Sequence, residues 1–221
     1  MDENQIIANI RNKLLQLISV NLISYKNFKH CNGLADYLGL NAAAANVEVR
    51  RVRIVYWVKP NFPFVKLNTD ASVGSNSVGI GGIIRDHFGN PLDLFYGPLV
   101  ACSVMSAELL SLSYGLERCL NLGFLSVNIE VDATSVINAI SENKDGNPHD
   151  FYTIRKIKSM MSDLSCVISH IYREGNACAD WLAKYWAQST ILQNLSVINL
   201  PSPLKGMIQI DKVGFPYILH G

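Results

Sequence analysis

The 221-residue chain has no run of eighteen apolar residues, so its sequence predicts no membrane-spanning helix. It also lacks any CxxC pair. The five cysteines, at positions 31, 102, 119, 166 and 178, are scattered. That spacing excludes a paired-ligand zinc module and a disulfide framework, and it implies a reducing intracellular compartment, nucleus or cytoplasm. Met1-Asp2-Glu3-Asn4 lacks the basic-then-apolar layout of a secretory signal, so Asn194-Leu195-Ser196 reads as a chance glycosylation sequon. Internal repeats and low-complexity tracts are absent. Charge is scarce, at 17% of residues against 49% apolar, which predicts a sizeable core and excludes global disorder. An overall excess of positive charge is missing too. Residues 1–65 carry eight basic against four acidic side chains, whereas residues 66–186 carry nine against thirteen, a net of −4. An acidic middle does not suit nucleic-acid binding unless cations intervene.

The first 24 residues place Ile6, Ile7, Ile10, Leu14, Leu17 and Ile18 at helical spacing. Residues 34–39 read as a second short helix, 41–46 as an Ala-rich linker and 55–58 as an extended arm before Pro60. From Val65 the pattern tightens. Strands are predicted at 65–73, 77–85 and 92–96, the last two joined by a hairpin loop with Gly89 at its turn. A helix follows from Val104 to Leu122, with Ser103 as its cap and Gly123 at its end. Then come a strand at 127–131, helices at 134–140 and 151–164, a strand at 166–172, and a last helix 177–187 with Asn176 as its N-cap. This order, βββαβααβα, predicts an α/β domain with a five-stranded mixed sheet and helices on both faces. The chain divides into a helical connecting segment (1–60), the main domain (61–188) and a tail (189–221). Pro201 and Pro203 break the tail, which is expected to be irregular.

Four acids stand at corresponding element ends: Asp70 in the first strand, Glu108 early in the long helix, Asp132 after the fourth strand and Asp180 early in the last helix. Each alone has a plain explanation. Acids suit helix N-terminal turns, and Asp132 could cap the helix that follows. Together they are harder to dismiss, because Asp70 and Asp132 are embedded in apolar sequence where an unpaired charge is costly. Converging carboxylates repel one another, and divalent cations with oxygen ligands relieve that repulsion. Two such ions about 4 Å apart form the clamp used for phosphodiester displacement.

Leu67-Asn68-Thr69-Asp70-Ala71-Ser72, Gly81-Gly82-Ile83-Ile84-Arg85-Asp86, Ala107-Glu108-Leu109, Glu130-Val131-Asp132-Ala133 and Arg173-Glu174-Gly175-Asn176-Ala177-Cys178-Ala179-Asp180 occur in this order. The set resembles the ribonuclease H family, and more narrowly the plant ribonuclease H-like domains related to non-LTR retroelement reverse transcriptases. The resemblance covers about residues 65–187. It implies a ribonuclease H-like fold, with Asp70, Glu108, Asp132 and Asp180 as ligands of two Mg²⁺ ions, for which Mn²⁺ can substitute. The implied partner is an RNA–DNA hybrid, contacted by Ser72, Thr134 and Asn176. Residues 1–60 resemble the segment that follows a zinc-binding reverse-transcriptase module in such proteins. There are two departures. Val104 and Met105 stand where relatives carry an Asn pair that holds the hybrid, and residues 144–150 are only a short loop where relatives carry a basic, aromatic protrusion.

The implied activity is metal-dependent cleavage of the RNA strand of a hybrid. The alternatives are an inactive module of this fold that binds nucleic acid or a protein, and another two-metal nuclease. Relatives often use a mobile His after the fifth strand, and His170 lies at that spacing. Here His170 falls inside a predicted strand, so Arg173 is the expected helper, holding a phosphate oxygen through its guanidinium.

Overall fold

A computed structural model describes residues 3–19, 22, 33, 53–74, 77–141, 149–185 and 191–219. The expected helix at 34–39, the linker at 41–46 and the loop at 144–148 lie outside these residues. The chain forms two units, one of Met1–Val55 with Tyr217–Gly221 and one of Tyr56–Pro216. The first holds helix α1 (Glu3–Ser19) and a strand pair in which β1 (Arg53–Val55) runs antiparallel to β8 (Tyr217–Leu219).

The second unit is built on β2 (Val65–Val73), β3 (Val78–Arg85), β4 (Pro91–Leu99), β5 (Ser126–Val131), β6 (Ser165–His170) and β7 (Gln193–Asn194), in the spatial order β6-β5-β2-β3-β4-β7. The strands β2, β5 and β6 are parallel, while β3, β4 and β7 alternate antiparallel. The sheet therefore has six strands rather than the expected five. The extra edge comes from the segment after Gln188, where Leu195 N–H donates to Leu94 O at 2.9 Å.

Helices cover both faces because the strands bury both sides. On one face α2 (Val104–Asn121) packs Leu109, Leu112 and Leu116 on Leu67, Ile80 and Ile84. It is flanked by α3 (Thr134–Ser141) and α4 (Phe151–Ser162). On the other face α5 (Ala177–Tyr185) and α6 (Ser202–Val213) pack Cys178, Leu182, Leu204 and Ile208 on Ile83 and Leu94. Gly81 permits this second layer, since a Cβ there would fall 2.2 Å from the Ala183 backbone nitrogen. The α2 cap is as expected, with Ser106 N–H donating to Ser103 Oγ at 3.1 Å.

Helix α6 corrects the expectation of an irregular tail. Its prolines open the helix, where their missing N–H and fixed φ do no harm, and Gly214 closes it at φ 70°. Its Asp211 forms a fully buried ion pair with Arg85 at the end of β3. The Arg85 guanidinium also lies 3.6 Å from the Trp57 ring centroid and donates to Asn68 Oδ1 at 2.8 Å. Breaking one partner of a buried pair strands the other charge in a dry site. We expect Asp211→Ala to lower unfolding free energy in a urea titration by about 3–5 kcal/mol, with much of the loss recovered by the apolar pair Arg85→Met with Asp211→Leu. A cost below about 1 kcal/mol would show α6 to be peripheral.

Candidate active site

β2 and β5 run in register from the pair Val65–Val127 to the pair Asn68–Glu130. Beyond that pair β5 ends at Val131, and β2 continues without its parallel neighbour. Asp70 projects just past that point, and Asp132 follows the end of β5. The first turns of α2 bring Glu108 to the same place. Carboxylate oxygens of Asp70, Glu108 and Asp132 lie within 4.8 Å of one another. Asp70 is 4% and Glu108 6% exposed, and Glu108 Oε2 is buried without a hydrogen-bond donor.

Burial pushes the Asp70 carboxyl up to about 9, reinforced by Glu108, Asp132 and Asp180 and opposed by Arg173. Burial, with Asp132 nearby, pushes Glu108 up to about 8, although the Ala71 N–H and Arg173 partly stabilise its charged form. Asp132 is raised as well, chiefly by burial. Three acids that resist ionisation, one with an unsatisfied oxygen, make a hard-oxygen donor set that fits Mg²⁺ or Mn²⁺.

Asp180 stands apart from this trio. Its Oδ1 accepts from Arg173 Nη2 at 2.9 Å and its Oδ2 from Lys184 Nζ at 2.6 Å. Its field still reaches Asp70 and Asp132. Arg173 is mostly exposed, in a 3-10 turn over Arg173–Asn176. His170 ends the edge strand β6, with Nε2 3.1 Å from Asp132 O and its ring against Tyr172. Ser72 is half-buried on β2 opposite Gly79, and Thr134 is exposed at the start of α3.

Asn176 differs from its expected roles. It is not a helix cap, because the 3-10 turn precedes α5 and draws its side chain inward. Its Nδ2 donates to Thr69 O at 2.9 Å and its Oδ1 accepts from Asn68 Nδ2 at 3.3 Å. At 1% exposed it braces the β2 backbone beside Asp70 and offers no surface to a ligand. The sequence reading also missed Ser111, whose buried hydroxyl lies 2.9 Å from Asp70 O and 3.2 Å from Gly81 O. Its signal was a polar residue three positions after Glu108 on an otherwise apolar helix face. Lys184 was missed as well, although its i+4 spacing from Asp180 signals a helical ion pair.

A family profile described as reverse transcriptase-like matches residues 68–186. The chain belongs to this family. An Arabidopsis thaliana protein with a ribonuclease H name is 29% identical over 177 residues, 79% of this chain. The chain spans only 28% of that relative's length. Ribonuclease H1 of Halobacterium salinarum superposes with TM-score 0.53 at 20% identity, covering 56% of this chain and 97% of that one. A ribonuclease H1 isolated from compost superposes with TM-score 0.51 at 26% identity, covering 55% and 93%. A further structure of that compost enzyme is a complex with an RNA/DNA hybrid. The second unit thus has the ribonuclease H fold, and the family match together with the Arabidopsis relative supports the resemblance to plant ribonuclease H-like domains that the motifs implied. Among the described residues of this ribonuclease H-like chain, no helix is long and apolar enough to cross a membrane.

The raised carboxyl groups bind protons in the folded state that the unfolded chain releases. From about pH 4 up to about 8–9, stability without metal therefore falls as pH rises. Melting followed by circular dichroism in EDTA should give a lower midpoint at pH 9 than at pH 6. Asp70→Asn should flatten that slope and raise the midpoint at pH 8. Strong destabilisation by Asp70→Asn would instead make Asp70 a structural residue.

Proposed function

We propose that this protein is a metal-dependent endonuclease that hydrolyses the RNA strand of RNA–DNA hybrids. The observation that carries the reading is the trio Asp70, Glu108 and Asp132, whose crowded oxygens are costly to ionise without a cation between them. The ribonuclease H fold and the hybrid bound by the compost relative support the choice of substrate. Asp70, Glu108 and Asp132 would hold Mg²⁺, with Asp180 completing the set for a second ion. The chemistry supplied by bound cations is activation of the attacking water and neutralisation of charge at the leaving oxygen. The protein's own share is to hold Asp70 on β2 and Glu108 on α2 together, with the Ala71 N–H donating to Glu108, so that both acids would give up their protons to solvent when a cation is held. Arg173 can exchange Asp180 for a phosphate oxygen, because an exposed ion pair is weak and a guanidinium holds phosphate with two donors. Ser72, two residues after Asp70, and Thr134, two residues after Asp132, would contact a sugar or phosphate of the hybrid.

One observation favours a second reading, an inactive module of the same fold. Val104, 59% exposed, and Met105 open α2 without an amide for the groove of a hybrid. A gel assay on an end-labelled hybrid separates the two. Cleavage in Mg²⁺ or Mn²⁺ that EDTA stops and Asp70→Asn abolishes supports the enzyme, and a bound but uncut hybrid supports the module. In the active case Arg173→Ala should lower turnover about tenfold or more, the worth of one charge-assisted contact. His170→Ala should cost less. The opposite order, on equally folded proteins at saturating Mg²⁺, would return the helper role to His170.

A further inference from the structure

Residues 66–186 are net acidic, so the placement of their cations matters to any polyanion. Most of those described are already bound to an acid. Lys66 pairs with Glu130, Arg85 with Asp211, Arg118 with Asp93, Lys156 with Glu117, and both Arg173 and Lys184 with Asp180. Among the described residues of this stretch, Arg155 is the arginine that makes no ion pair, and it is exposed.

Helix α4 buries Ile154, Ile157 and Met160, which turns Arg155 outward. Tyr152 precedes it by three residues and so shares its face. The Tyr152 side chain is 78% exposed, and its ring meets Phe151 edge-on at a centroid distance of 5.5 Å. Helix α4 thus presents an open aromatic ring and an unpaired guanidinium on one exposed face.

The location supplies the occupant. Asp150, buried just ahead of α4, accepts a hydrogen bond from Ser106 Oγ at 2.6 Å. Ser106 lies two residues before Glu108 in the first turns of α2. The start of α4 is therefore fastened to the turns that carry Glu108, at the end of the sheet where the acids meet.

We propose that Tyr152 and Arg155 form a second nucleic-acid contact that takes the sugar–phosphate backbone of a duplex bound across the acid trio. The guanidinium would hold phosphate oxygens, and the Tyr ring would pack on a sugar or an end base. The contact rests on the hybrid reading above, and the test separates their failures.

The test is fluorescence anisotropy of a labelled RNA–DNA hybrid with the full chain carrying Asp70→Asn, which keeps the strand intact, over a series of KCl concentrations. Adding Tyr152→Ala with Arg155→Gln should weaken binding about tenfold or more. Arg155→Gln alone should reduce the slope of log affinity against log salt by about one. Both substitutions are on the surface, so the melting midpoint should not move. If the double variant binds within twofold of its parent with an unchanged slope, the contact is overturned and hybrid binding stands. If the Asp70→Asn parent fails to bind, the two surface substitutions are compared in the otherwise unsubstituted chain with Mg²⁺, and if that chain neither binds nor cuts hybrid even at low salt, both proposals fall.

Discussion

Three carboxylates in one poorly hydrated corner repel each other, and that repulsion is the constraint on which the rest of the structure depends. Asp70 and Glu108 are almost completely buried, and neither has a cationic partner within the trio. Left alone they hold protons up to about pH 8–9. A fold tolerates this arrangement only if its framework is strong enough to keep the acids together against their preference for water.

That framework grips β2 from both faces. Ser111 of α2 donates toward the Asp70 carbonyl from one side, and Asn176 donates to the Thr69 carbonyl from the other. Asn176 is itself held by Asn68, which also takes hydrogen bonds from Trp57 and Arg85. Through Arg85 the network reaches Asp211 on α6, beyond the stretch matched by the family profile. The segments on either side of the matched stretch therefore take part in bracing the strand that carries Asp70. Asp180 plays a different part. Held by Arg173 and Lys184, it adds negative potential to the corner while its own charge is compensated.

Much of this was legible in the sequence, for physical reasons that also mark the limits. Period-two alternation and the Gly–Gly step of β3 are local signals, as are the Ser103 cap and the Gly123 stop, and they located the elements of the main domain. The acids could be read because each stands where an apolar element ends. Features set by distant partners could not be read. Arg85 and Asp211 are 126 residues apart, and neither signals the other. Pro201 and Pro203 looked like breakers, whereas prolines also start helices, and α6 begins there. Asn176 matched a cap by position, but a 3-10 turn sent its amide to Thr69. The short β7 has too few residues to show a period at all.

The most direct test is calorimetric titration of Mn²⁺ into the full chain at pH 7, run in two buffers of different ionisation enthalpy. If the trio is a cation site whose acids hold protons when empty, binding must release protons, and the apparent enthalpy must differ between the buffers. Asp70→Asn should abolish or sharply weaken that binding. An absence of Mn²⁺ binding, or binding that releases no protons and survives Asp70→Asn, would contradict the account.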